Sequence, residues 1–295
     1  MTETPAGFVV VDKQGGMTSH DVVARMRRLA QTRKVGHGGT LDPMATGVLV
    51  LAVGRATRLL TYVSGSDKSY DATIRLGQAT VTDDAEGDVT ATADASNVDR
   101  ADIERILAAM TGEIDQVPSA VSAVKIDGKR SYARVRAGEE VALKARRVTI
   151  SRLDVLGVRA GDGVTDVDVS VTCSSGTYIR AIARDLGAAL AVGGHLTALR
   201  RTRVGGFTLT EARTLDELAE LDSPVNQSLA QAAGRLLPRR DVGEEEAATL
   251  SHGGSLPVSG ADGPHAVFGP GGDVIAVVRD ERGRARPEVV LAPAG

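Results

Sequence analysis

Tryptophan is absent from this 295-residue chain, and four tyrosines with three phenylalanines bring the aromatic share to only 2%. The core must therefore be built from Ala, Val, Leu and Ile, and platforms for stacking on a flat ligand are few. A single cysteine, Cys173, excludes an internal disulfide framework and a cysteine-based zinc site. No apolar run approaches the roughly 20 residues of a membrane-spanning helix. The N-terminus MTETPAGFVV lacks a basic leader followed by an apolar stretch, so no signal peptide is read. His20, His37, His195, His252 and His265 are scattered singly, which suggests no metal site. The phosphate-loop, dinucleotide-binding and H-E-x-x-H motifs do not occur. A cytoplasmic protein with no cofactor, no metal and no membrane association is expected, with a monomer as the default.

A net charge of −3 argues against a simple polycationic nucleic-acid binder, yet the total hides segregation. Residues 24–60 carry seven bases against Asp42 alone. Residues 125–152 carry nine bases against three acids, and residues 178–203 carry five against Asp185. The compensating acid gathers in residues 83–104, where eight carboxylates face Arg100. One basic block is as well read as a solvated surface; three together suggest a positive face suited to a phosphate backbone.

Residues 8–13 read as a strand, and Thr18-Ser19-His20-Asp21 can cap a helix over 22–31. Residues 36–43, with three glycines and a proline, read as a loop, followed by a buried strand over 47–53. Residues 70–76 alternate like a half-exposed strand. A helix follows over 101–110, then a hairpin of 148–158 with 164–173, and a helix over 178–190. An acidic helical stretch after Leu215 leads to short Gly- and Pro-rich strands around 266–268, 274–278 and 288–291. Strands and helices without a regular βαβ period predict an α+β fold with a mixed sheet.

The loop 37–43 places Asp42 among glycines inside the first basic block. Its glycines permit close backbone approach to a ligand. Taken alone, the loop reads better as an ordinary tight turn with Asp42 as its local cap. A hydrolase reading built on Asp42 and His37 finds no G-x-S-x-G elbow and no metal ligands.

Gly38-Gly39-Thr40-Leu41-Asp42-Pro43 with Ala45-Thr46-Gly47-Val48-Leu49 resembles the active-site motif of the bacterial tRNA pseudouridine synthase B family. Four further segments resemble the family in the right order. They are Asp12 to Ser19, Lys68-Ser69-Tyr70 with Leu76-Gly77, Gln116 to Gly128, and Ser175 to Arg180 with 185–187 and 195–202. The resemblance covers roughly residues 8–210. Residues 236–295 fit the family's small C-terminal domain only by size and strand content.

The resemblance implies a mainly antiparallel central sheet flanked by helices over residues 1–235, with a basic thumb-like loop near 125–152. It implies a PUA-like RNA-binding domain over 236–295. The implied activity converts uridine 55 in the tRNA T-loop to pseudouridine on a flipped-out nucleotide. Asp42 matches the catalytic aspartate, Arg180 the arginine that pairs with it, and Tyr70 the tyrosine that stacks on the uracil. Tyr178 and Leu199 match pocket residues, and His37 the histidine that enters the T-loop. Lys13 and Lys125 match second-tier contacts to phosphate or uracil. The chemical route, by a glycal or a covalent adduct, stays open. A non-catalytic RNA-folding module using the same face is the alternative from a different class. The implied partner is tRNA, through its T-arm and T-loop, with no obligate protein partner.

Overall fold

The computed structural model describes residues 5–119 and 143–292, with the backbone alone at 125–126 and 129–130. Along the chain run β1 (Gly7–Lys13), α1 (Ser19–Leu29), β2 (Val35–His37), β3 (Thr46–Val53), α2 (Leu60–Gly65), β4 (Lys68–Leu76), β5 (Gln78–Thr80), β6 (Val89–Thr92), α3 (Arg100–Ala109) and β7 (Gly112–Gln116). After β8 (Lys125–Ile126) and β9 (Lys129–Arg130) come β10 (Arg146–Gly161), β11 (Val164–Cys173), α4 (Ile179–Ala189), β12 (Gly194–Val204) and β13 (Phe207–Thr208). The C-terminal part adds α5 (Leu215–Ala219), β14 (Gln227–Ser228), α6 (Leu229–Leu236), β15 (Arg239–Asp241), α7 (Glu244–Ser251), β16 (Pro264–Phe268), β17 (Val274–Glu281) and β18 (Arg284–Val290). Contacts divide the chain into two units, Met1–Ser66 with Arg203–Gly295, and Asp67–Thr202.

In the first unit β1 and β3 pair antiparallel, Val10 opposite Val50, and β14 adds to the other edge of β1. Both central strands are apolar on both faces, as a fully covered strand must be. One face packs on α1 through Val22, Val23 and Met26. Thr18 and Asp21 close a reciprocal capping box at the start of α1, and the two hydrogen bonds it receives from Thr18 hold the Asp21 carboxyl below its ordinary value. The other face joins Phe8, Val50, Phe207 and Phe268 in one core, with Phe8 and Phe207 stacked at 6.1 Å between ring centroids.

The four-stranded sheet β15–β18 has a core of its own around Val242, Leu250, Leu256, Val267 and Val278. Its period-2 alternation buries both faces, because Ala266 and Phe268 turn the opposite way and enter the core of Phe8 and α6. Residues 236–295 therefore form a distinct sheet with one face on a small core of its own and the other in the core that holds Phe8.

In the second unit β4, β11, β10 and β7 are successive antiparallel neighbours, and β12 lies beside β4. Tyr70, Ala72, Ile74 and Leu76 point inward with Val167, Val169 and Val171. The opposite face is polar: Arg75 makes a two-pronged contact with Asp166, and Thr73 donates to Asp168. The alternation seen in the sequence thus marks a strand with one solvated face. The hairpin expected around residues 161–163 forms, with Gly163 at φ 74°.

Two expectations need correction. His37 does not sit in a loop: Val35, Gly36 and His37 form β2 and pair with Val53, Ala52 and Leu51. A distant strand supplies the hydrogen bonds that offset the glycine's poor strand propensity. The acidic stretch after Leu215 yields only a five-residue helix with its own Thr214–Glu217 capping box.

Candidate active site

The expected site residues fall in both units. Lys13, His37 and Asp42 belong to the first; Tyr70, Tyr178, Arg180 and Leu199 belong to the second. Lys125 is described by its backbone alone; residues 127–128 and 131–142 of the basic excursion lie outside the described residues.

In the first unit the loop after β2 carries Asp42, half-buried, between two anchored neighbours. Before it, Leu41 N donates to Ser19 Oγ at 2.9 Å, and Ser19 Oγ donates back to Leu41 O at 3.1 Å. After it, Pro43 O accepts from Gly16 N at 2.9 Å and from Lys13 Nζ at 3.0 Å. Asp42 O accepts from Ala45 N at 3.1 Å. Lys13 is fully buried beneath the loop, not spread on the surface, and Gln14 O takes a second bond from its ammonium. His37 meets His20 edge to face, with ring centroids 5.7 Å apart.

The glycines of this loop act differently from the ligand-approach reading. A Cβ on Gly38 would lie 2.2 Å from Val63 Cγ1, and one on Gly36 would lie 2.7 Å from Leu60 Cδ1. They are small because α2 packs directly on the backbone. Gly39 is required for another reason, its φ of 107°.

In the second unit Tyr70 and Leu199 are buried, each 7% exposed. Tyr178 is the N-cap of α4 without a side-chain cap bond, and Gln116 holds both of its backbone groups. Tyr178 N donates to Gln116 Oε1 at 2.8 Å, and Gln116 Nε2 donates to Tyr178 O at 3.1 Å. Arg180, in the first turn of α4, donates through Nη1 to Thr82 O at 2.8 Å and stands 3.3 Å from Asp84 Oδ2. Asp84 is itself held by Thr82 Oγ1 at 2.5 Å and Glu86 N at 3.0 Å. One turn on, Arg184 donates to Val117 O at 2.8 Å and lies 3.5 Å from Asp83. Burial pushes the Asp83 carboxyl above its ordinary value.

These contacts revise the charge pattern. Arg180 and Arg201 of the third basic block are 5% and 0% exposed, so that block is partly interior. Asp83 and Asp84, the first of the acidic block, turn onto α4 instead of forming a remote negative face. Lys68 is also buried; desolvation, with Arg201 nearby, holds its ammonium down to about 8.

Sequence reasoning missed Ser19, Asp84 and Gln116 as supporting residues. Ser19 and Gln116 lie inside family-like motifs that carry no local sign of their long-range bonds. Asp84 reads in sequence as charge alone, with the Thr82-x-Asp84 spacing as the available local signal. Among the described residues no cluster of three His, Cys, Asp or Glu could hold a metal ion, and no helix is long and apolar enough to cross a membrane.

The fold is that of a pseudouridine synthase. It matches the chain described as "Crystal Structure of a Cbf5-Nop10-Gar1 Complex" with a TM-score of 0.75 at 26% identity, covering 97% of this chain and 85% of that one. Residues 27–179 match the TruB family pseudouridylate synthase (N terminal domain). Residues 180–237 match the tRNA pseudouridylate synthase B C-terminal domain, and 237–292 match tRNA Pseudouridine synthase II, C terminal. Two relatives named tRNA pseudouridine synthase B agree along nearly the whole chain. That of Streptomyces griseus is 59% identical over 297 residues, covering 99% of each, and that of Arthrobacter sp. (strain FB24) is 57% identical over 299 residues, covering 98% and 97%. The chain belongs to the TruB family of pseudouridylate synthases.

Proposed function

We propose that this enzyme isomerises uridine 55 in the T-loop of tRNA to pseudouridine, with Asp42 as the catalytic carboxylate. The C1′–N1 bond breaks, the uracil turns over, and C1′ bonds to C5. The C5 proton leaves and N1 gains one, so atoms and electrons balance without a redox partner or energy source. A carboxylate suits either route, attack on the electron-poor C1′ or removal of the 2′ proton.

The observation that carries the reading is the loop around Asp42, whose two neighbouring peptides are tied down at Ser19, Gly16 and Lys13. A group that must meet a sugar carbon needs such a fixed backbone. Arg180 is assigned as the guanidinium that acts with Asp42, and its buried setting with Asp84 supports a fixed orientation. Tyr70 is assigned to the face of the extruded uracil, with Tyr178 and Leu199 lining its pocket. His37 is assigned to the T-loop, and Lys125 to phosphate or uracil. Lys13, given its burial, is assigned to holding the Asp42 loop.

Residues 1–235 form the catalytic part in this reading and 236–295 an RNA-binding PUA-like part; the separate sheet β15–β18 supports the division. The working form is a cytoplasmic monomer acting on free tRNA, with no obligate protein partner.

The test uses tRNA transcribed with tritium at uracil C5, since the isomerisation releases that hydrogen to water. Asp42→Asn is expected to bind the transcript normally and to release tritium only at background. Retained turnover removes Asp42 from its role.

A further inference from the structure

The hydroxyl of Ser19 has an unusual job for the first residue of a helix. Thr18 already caps α1, accepting from Asp21 N, so Ser19 is not needed for capping. Ser19 is 1% exposed, and its oxygen reaches across 22 residues to both backbone groups of Leu41. One side chain thus imitates a β-bridge to the residue immediately before Asp42. Leu41 is itself buried, so no solvent replaces the bond.

We propose that Ser19 is a positioning residue for the reaction: its hydroxyl fixes the Leu41 peptide groups and thereby the backbone from which the Asp42 carboxylate projects. The proposal rests on the reading of Asp42 as the catalytic group. Anchors beyond Asp42 exist at Gly16 and Lys13; before it, Ser19 holds both backbone groups of Leu41. Ser19→Ala leaves the N–H and C=O of Leu41 without that partner in a buried place, which drives the loop to a new position. Helix α1 keeps its capping box, and alanine favours helix, so the damage stays local. A displacement of about 1 Å at a reacting group costs up to ~100-fold in rate.

The experiment is single-turnover release of tritium from C5-labelled tRNA, with the full-length enzyme in saturating excess. Under these conditions tRNA is limiting, so a partly unfolded preparation raises the apparent half-saturating enzyme concentration, whereas a misplaced carboxylate lowers the saturated rate constant. Ser19→Ala is expected to slow the rate constant on the order of 10- to 100-fold, with the half-saturating enzyme concentration and tRNA binding unchanged. Ser19→Cys, of similar size and with a weaker donor, is expected to fall between the two, and it decides the matter if Ser19→Ala does not fold. A wild-type saturated rate constant in either variant overturns the proposal, as does an effect confined to binding or to the half-saturating enzyme concentration. Asp42→Asn runs in parallel: if it retains turnover, the catalytic reading has failed. If it is inactive while Ser19→Ala matches wild type, only the positioning role has failed.

Discussion

Replacing Gly38 by alanine sets a methyl group where α2 already stands. The new Cβ would lie 2.2 Å from Val63 Cγ1 and 2.5 Å from Val63 Cβ, against an ordinary contact of 3.4–4 Å. One side must yield by roughly 1 Å. Val63 is fully buried, and Gly38 N donates to Val50 O at 2.9 Å, so neither side yields freely. Overpacking of this kind costs about 1–3 kcal/mol, which for a chain of this size lowers Tm on the order of 5 °C. Because Gly38 lies four residues before Asp42, a shift of the loop also lowers the single-turnover rate constant, up to ~100-fold. Thermal melts and tritium release from the same preparations measure both effects. Val63→Ala in the Gly38→Ala background removes the nearest atom and is expected to restore part of the stability, so the two changes couple in a double-mutant cycle. A Gly38→Ala enzyme that melts and turns over like wild type refutes the reasoning. Additive effects refute the assignment of the clash to Val63.

Three further outcomes follow from the packing of buried groups. Asp84→Ala removes a buried carboxylate 3.3 Å from Arg180 that also accepts from Thr82 Oγ1 and Glu86 N, and is expected to cost about 1–3 kcal/mol, read by chemical denaturation. Lys68 titrates near 8 in the folded chain against 10.5 ordinarily, so the folded state gives up this proton first and stability rises as pH climbs between those values. Lys68→Met is expected to abolish that rise, at most about 3 kcal/mol, in Tm measured against pH. Phe207→Ala removes a fully buried ring stacked on Phe8 and is expected to cost about 3–5 kcal/mol, again by denaturation.

Local rules made much of the molecule legible in one dimension. The apolar run of β3, the alternation of β4 and the Thr18–Asp21 box at α1 are short-range patterns, and each element formed as its pattern predicts. The candidate residues were legible through motifs, since Asp42, Tyr70 and Arg180 each sit inside a stretch whose order along the chain is distinctive. The scarcity of aromatics also read correctly as a core of aliphatic side chains, with Phe8, Phe207 and Phe268 as its few rings.

What the sequence could not decide depends on partners far away in the chain. His37 became a strand residue because Leu51 lies opposite it. Gly38 is small because Val63 returns to it 25 residues later. Asp84 looked like one more surface acid until the fold turned it onto α4, where loss of water makes an ion pair with Arg180 the acceptable arrangement for both charges. Ser19 passed for a helix-capping neighbour until Leu41 was brought within 3.1 Å of its hydroxyl. Residue order alone specifies which chemistry-bearing groups the chain carries and the periodicity of the elements that hold them. Which polar groups are buried, and what each one holds, emerges with packing, because burial and long-range hydrogen bonding have no local signature.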